Sequence, residues 1–183
     1  MAIYNLKLPN KDINQIQAMF NAVAPRYDFL NRVLSVGYDR YWRKVAVNQL
    51  GKISNKTFLD VATGTGDIAL EIAMRHPSAL QVIGMDFSQS MLKLGSNKIN
   101  EKNLDREIPL IPASAENIPL KDQIFDGAIT AFGVRNFSDP HKGLLEMYRV
   151  LKPMARLLFL NFLFPNTDYY SGYIAYILKN YYL

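Results

Sequence analysis

The sequence predicts an α/β domain, a mostly parallel β-sheet with helices on both faces, preceded by a helical extension. Three observations carry this expectation. From residue 57 onward, short apolar runs alternate with amphipathic helical stretches. The first of these runs enters a glycine-rich turn that opens a helix, TFLDVATGTGDIAL at residues 57–70. Ahead of it, residues 11–50 place Ile13, Ile16, Met19, Phe20 and Val23 at helical spacing, with a break at Pro25. With 183 residues, 49% of them hydrophobic and 20% charged, the chain can bury one substantial core. It reads as one domain over 1–183, with a helical cap at 1–50, a core at 51–165 and a tyrosine-rich tail at 166–183.

Taken in order, the cap either covers a binding crevice or packs on the sheet's outer face, and its pattern allows both. Strands are expected at Thr57 to Val61, Gln81 to Met85, Ile108 to Pro112, Ile124 to Thr130 and Arg156 to Phe162. Helices are expected at Asp67 to Arg75, Ser88 to Asn100 and Pro140 to Leu151. Ser88 suits the N-cap of the second, and Asp139 followed by Pro140 suits the start of the third. Six of the eleven tyrosines lie in the last 15 residues, interleaved with Ile174, Ile177, Leu178 and Leu183. That tail reads as a helix, either the last of the core or one lying at a water and lipid boundary.

Composition narrows the chemistry. The chain has no cysteine, so disulfides, thiol nucleophiles and thiolate metal sites are excluded, which suits a cytoplasmic protein. The two histidines, His76 and His141, have no second ligand at metal spacing, so no metal is expected. No signal peptide and no 18-residue apolar run is read. The net charge of +5 and pI of about 9.3 come from scattered lysines and arginines. Scatter of this kind reads as a solvated basic surface, without nucleic acid as a partner.

In an open parallel sheet, ligands bind outside the carboxyl ends of the strands. Asp60, Asp86, Ser114 and residues 131–136 should therefore converge on one crevice. Gly64 and Gly66 permit a tight turn with bare backbone facing the ligand. Gly64 to Ala69 matches G-x-G-x-x-G/A, and Asp86 follows Gly66 by 20 residues, as a nicotinamide cofactor would require. S-adenosylmethionine fits the same elements, because its ribose also wants a carboxylate. Asp60 and Asp67 bracket the turn with negative charge. They would oppose a pyrophosphate and favour a sulfonium and an ammonium, by ~4 kcal/mol at ~4 Å and an effective dielectric of ~20. The charge pattern tilts the choice toward S-adenosylmethionine.

Seven blocks in order, FNAVAPRYDFLN, SVGYDRYWR, FLDVATGTGDIAL, VIGMDFSQSML, AENIPL, FDGAITAFGVRNFSD and EMYRVLKP, together resemble the ubiquinone/menaquinone biosynthesis C-methyltransferase family. The resemblance implies a Rossmann-like class I methyltransferase fold and S-adenosylmethionine as methyl donor. It also implies methylation of a ring carbon of a prenylated hydroquinone, either demethylmenaquinol or the benzoquinol of the ubiquinone pathway. It places the donor at Thr63 in the loop, Asp86 on the ribose and Ser114-Ala115 by the adenine. Ala131 stands where the family has a serine contact, so one polar contact is expected to be missing. Met154-Ala155 replaces a Gly-Gly pair, which is tolerable only if the turn needs no positive φ. Asn161 replaces an acidic residue. The family's last helix and antiparallel strand pair are expected beyond Leu183, leaving five strands here with an open edge that could invite a swapped homodimer.

A hydroquinone is far more nucleophilic once it loses a phenolic proton, and an unperturbed phenol has a pKa of about 10. Arg135 is the expected holder of the phenolate, or of a water that takes the proton. Tyr27 and Asp28 could close over the crevice, with Tyr27 equally readable as a packing residue. Asn136 could orient a substrate oxygen or cap local backbone. The expected partner is a lipid quinol, with peripheral contact at a membrane. Two other readings stay open, a methyltransferase of a soluble small molecule and a non-catalytic relative acting as a binding partner.

Overall fold

A computed structural model of the protein describes residues 12–51, 54–75, 81–163 and 171–178. Helices α1 (Ile13–Val23), α2 (Tyr27–Leu34) and α3 (Asp39–Asn48) form the N-terminal extension, with a 3-10 turn over Ala24–Arg26 at the Pro25 break. The core then alternates β1 (Thr57–Val61), α4 (Asp67–Arg75), β2 (Gln81–Asp86), α5 (Gln89–Asn100), β3 (Leu110–Pro112), β4 (Phe125–Ala131), α6 (Pro140–Val150), β5 (Leu151–Leu163) and β6 (Ser171–Leu178). Its sheet has the order β3-β2-β1-β4-β5-β6, parallel through β5 and antiparallel at β6.

The strands are buried on both faces because their side chains alternate between two apolar clusters. Phe58, Leu158 and Leu160 belong to the cluster that also packs Ile68, Ile72 and Ile99. Leu59, Val61 and Leu157 belong to the other, with Met147 and Val150 of α6. The expected caps are in place. Ser88 Oγ accepts from the Met91 N–H, and the Asp139 side chain accepts from the Lys142 N–H. The first cap orients α5 toward β2, and the second starts α6 beyond the turn that follows β4.

The tail differs from expectation in two ways. Residues 171–178 form a strand rather than a helix, and the sheet has six strands rather than five, so part of the antiparallel pair expected to be missing is present. The β5 edge offers a free row of N–H and C=O groups, and β6 pairs along it from Arg156↔Leu178 to Leu163↔Ser171. SGYIAYIL is rich in β-branched and aromatic residues that favour a pleated ribbon. The open β5 edge expected to invite a swapped dimer is thereby covered. The rest of the tail, 166–170 and 179–183, lies outside the described residues.

The turn after α6 also departs from expectation. Phe125 pairs with Leu151 and Gly127 pairs with Arg156, so residues 152–155 bulge out opposite Asp126. Met154 sits there at φ +60°, so the turn does require the left-handed conformation that glycine adopts freely.

Candidate functional site

The carboxyl ends of β1, β2 and β4 open into a crevice, where ligands of open parallel sheets bind. Gly64, Asp86, Ser114, Ala115 and Ala131, all expected at the site, line it together with Tyr27 and Asn136. Asp60, Thr63 and Gly64 line a smaller cavity on the other side of the loop, with Tyr27 and Ala131 shared between the two. Gly66, at φ +78°, shapes the turn without lining either cavity. Arg135 is exposed on the 3-10 turn Val134–Asn136 and also lines neither cavity.

The glycine loop is held from below. Asp60 is buried, and its Oδ2 accepts from the Thr63 hydroxyl at 2.5 Å and from the Ala69 N–H at 3.1 Å. Burial pushes its carboxyl up to about 7, the bonds from Thr63 and Ala69 pull the other way, and the Asp86 and Asp67 charges add to the rise. Gly64, at φ +57°, donates its N–H to Asp86 Oδ2 at 2.8 Å. Ser88 donates its N–H to Asp86 Oδ1, also at 2.8 Å. Burial raises the Asp86 carboxyl above its ordinary value, opposed by the N–H groups of Ser88, Gly64 and Phe87. An ionised carboxylate has about four lone-pair sites, so Asp86 keeps acceptor capacity for a ligand beyond these three N–H groups.

At the end of β3, Ser114 donates its hydroxyl to Glu116 Oε2. Ser114 Oγ in turn accepts from the Glu116 N–H at 3.3 Å, which leaves it one lone pair for a further donor. Glu116 Oε1 accepts from the Ser138 N–H at 2.7 Å, the Ser138 hydroxyl at 2.9 Å and the Asp139 N–H at 3.2 Å. Burial alone would raise Glu116, yet these bonds and the one from Ser114 hold its carboxyl below the usual range. Glu116 escaped the sequence reading because, Ser114 apart, its partners Ser138 and Asp139 lie more than 20 residues away.

The cap question resolves both ways. Phe20 and Tyr27 line the crevice, so α1 and the start of α2 cover it, while Ala46 and Val47 of α3 pack into the core. Gln17 donates to the Phe87 carbonyl at 2.6 Å, and Ser88 donates its hydroxyl to Asn21 at 2.7 Å. Phe20 meets Tyr27 and Phe87 edge to face at 6.1 and 5.9 Å. Asp28 accepts from the Thr65 hydroxyl at 2.7 Å and pairs with Lys98 at 2.5 Å. Asp28 therefore latches the cap to the loop. Lys98 also reaches Asp67 at 2.8 Å, and Arg43 reaches Asp67 at 2.5 Å. Asp67 is thus an ion-paired brace, not the bare negative wall its sequence position suggested.

Two non-glycine residues flank the site in the left-handed region, Ala62 at φ +56° after β1 and Phe132 at φ +60° after β4. Such conformations cost about 1–3 kcal/mol each and tend to gather at functional sites. A Cβ on Gly133 would come within 2.5 Å of Thr130 Oγ1 and 2.7 Å of Ala62 Cβ, so only glycine lets this wall close. Among the described residues, no group of three or more His, Asp or Glu side chains could hold a metal, and no helix is long and apolar enough to cross a membrane.

A parallel sheet with one antiparallel edge strand and a glycine turn after its first strand defines a Rossmann-like methyltransferase fold. A solved methyltransferase from Aquifex aeolicus shares that fold, with a TM-score of 0.62 at 21% identity over 86% of this chain and 78% of its own. The chain belongs to the ubiE/COQ5 methyltransferase family, whose sequence profile matches residues 8–181. It is 49% identical over 166 residues to the ubiquinone/menaquinone biosynthesis C-methyltransferase UbiE of Geotalea daltonii, covering 90% of this chain and 71% of that protein. It is 40% identical over 179 residues to the demethylmenaquinone methyltransferase of Porphyromonas gingivalis, covering 96% and 72%.

Proposed function

We propose that this methyltransferase takes its methyl group from S-adenosylmethionine and transfers it to a ring carbon of a prenylated hydroquinone. The observation that carries this reading is the buried Asp86 carboxylate, which faces the crevice between the Gly64 turn and Ser114 with acceptor capacity to spare. A ribose diol offers two donors to such a carboxylate, and the Ser114 oxygen can accept from an adenine amino group. Ala115 and Met91 supply apolar wall beside them. Asp60 and Thr63, on the smaller cavity, suit the amino acid end of the donor.

S-adenosylmethionine supplies an electrophilic methyl on its sulfonium. The carbon–sulfur bond breaks as the ring carbon–carbon bond forms, the thioether leaves with the electron pair, and the ring then loses its proton. Positioning provides much of the rate for such a transfer. Tyr27 lines the crevice and would orient a quinol oxygen, as would Asn136, whose amide also donates to the Phe132 carbonyl at 3.4 Å, while the aromatic set of Phe20, Tyr27 and Phe87 screens the reacting groups from water. Arg135, on the same turn as Asn136, is the candidate counter-charge for a phenolate.

The test is incubation with labelled methyl donor and a panel of demethylmenaquinol and methoxybenzoquinol substrates, alongside calorimetric titration of the donor. Label should move to one quinol, and Asp86→Asn should weaken donor binding about tenfold, equivalent to ~1.4 kcal/mol. Donor binding with no transfer to any quinol would replace this reading with a methyltransferase of a soluble small molecule or a binding-partner role. An absence of donor binding would overturn it.

A further inference from the structure

Among the described residues, the exposed large apolar side chains concentrate on α2 and the segment that follows it. No side chain of α2 is buried. Phe29 and Val33, and beside them Leu30 and Leu34, stand four residues apart and form one apolar stripe. Phe29 is 68% exposed, Leu34 73% and Val36 81%, with Tyr38 and Tyr41 exposed just beyond. Val36 sits at φ +51°, a strained conformation for a β-branched residue, so the turn holds an apolar side chain in water where glycine or asparagine would rest more easily.

The charges around this stripe have one sign. Arg26, Arg32, Arg40 and Lys44 are exposed. The two acids of the same stretch are occupied: Asp39 is buried against Arg43 at 3.0 Å, and Asp28 is paired with Lys98. An apolar stripe with a one-signed basic rim complements an anionic lipid surface, where rings and aliphatic side chains enter the acyl boundary and the basic side chains meet the headgroups. Tyr27, the first residue of α2, is already part of the crevice wall.

We infer that α2 and the α2–α3 turn dock the protein on an anionic membrane surface. This orientation rests on the lipid quinol reading, since it brings the crevice wall at Tyr27 to the layer where such a substrate resides. The docking itself is measurable without turnover.

The experiment is cosedimentation of the 183-residue chain with phosphatidylcholine vesicles, with and without phosphatidylglycerol. Wild type should bind the anionic vesicles and lose binding in high salt. The double variant Phe29→Glu, Leu34→Glu should bind about tenfold more weakly with its thermal melt retained, because both side chains already face water. Arg32→Glu with Arg40→Glu should lose binding to the anionic vesicles selectively. Methyl transfer to a tailless quinol should be unchanged in the Phe29 and Leu34 variant, while transfer to a long-tailed quinol in vesicles falls about as much as binding does. Equal binding by wild type and variant would overturn the proposal, as would binding indifferent to lipid charge. A dimer in free solution that the Phe29 and Leu34 changes dissolve would assign the stripe to a second copy and overturn it too. If no quinol is methylated while the vesicle results hold, the substrate reading fails and the docking surface stands.

Discussion

Replacing Asp60 with asparagine separates what this residue does for the fold from what it does for the ligand. In the folded chain its carboxyl titrates at about 7 against an ordinary value of 3.8, chiefly because it is buried. Between those values the folded state keeps a proton that the unfolded state has lost, so stability falls as pH rises through the interval and levels off above it. At 1.36 kcal/mol per pKa unit the full penalty is on the order of 4 kcal/mol. Asparagine keeps an oxygen for the Thr63 hydroxyl and the Ala69 N–H but carries no charge. The stability of Asp60→Asn relative to wild type should therefore climb between about pH 4 and pH 7 and hold constant above. Urea unfolding at a series of pH values measures this directly. If the charge also serves the donor's ammonium group, the same variant should bind S-adenosylmethionine at least about tenfold more weakly, read by calorimetry. A stability difference that is flat with pH, or that grows toward acid, would refute the burial reasoning.

Two further outcomes follow from strain and from the latch. Met154 is mostly exposed at φ +60°, so Met154→Gly removes a left-handed conformation worth about 1–2 kcal/mol, less about 0.5–1 kcal/mol for glycine's greater freedom when unfolded. A net gain of about 0.5–1 kcal/mol should raise Tm by about 1–4 °C, and Met154→Ala, which keeps the Cβ, should show no such gain. Lys98→Met removes the cation that joins Asp28 of the cap to Thr65 and Asp67 of the loop and helix. Donor dissociation should quicken about fivefold, equivalent to ~1 kcal/mol, and lose part of its salt dependence in stopped-flow measurements. An unchanged dissociation rate would show that the cap does not gate exchange.

The core was legible in the sequence because its signals are local. Hydrophobic periodicity, the glycine turn and the Ser88 and Asp139 caps each act within a few residues, and β1, α4 and the start of α6 lie where those signals put them. The tail was misread because a short apolar and aromatic segment takes its form from whatever edge it meets, and the β5 edge lies outside its own letters. Met154 shows the same gap at a smaller scale. A methionine in place of glycine says nothing of φ until the bulge opposite Asp126 is visible.

The site was legible in its members and misjudged in its charges. Asp67 looked like bare negative charge because Arg43 and Lys98 lie 24 and 31 residues away in sequence. Their pairing removes Asp67 from the preference for a cationic ligand. What remains is Asp60 behind the loop and Asp86 in front of it, neither with a cation among its hydrogen-bond partners. Both carboxyls are raised by burial, the state in which a ligand's positive charge or hydroxyl donors gain most by arriving. A pyrophosphate in the main crevice would instead meet Asp86 and Glu116, with no basic side chain among the lining residues to balance it. Of Asp60 and Asp67, the pair that tilts the choice toward S-adenosylmethionine in the sequence, only Asp60 keeps that part, because Asp67 is ion-paired and Asp86 suits the ribose of either ligand.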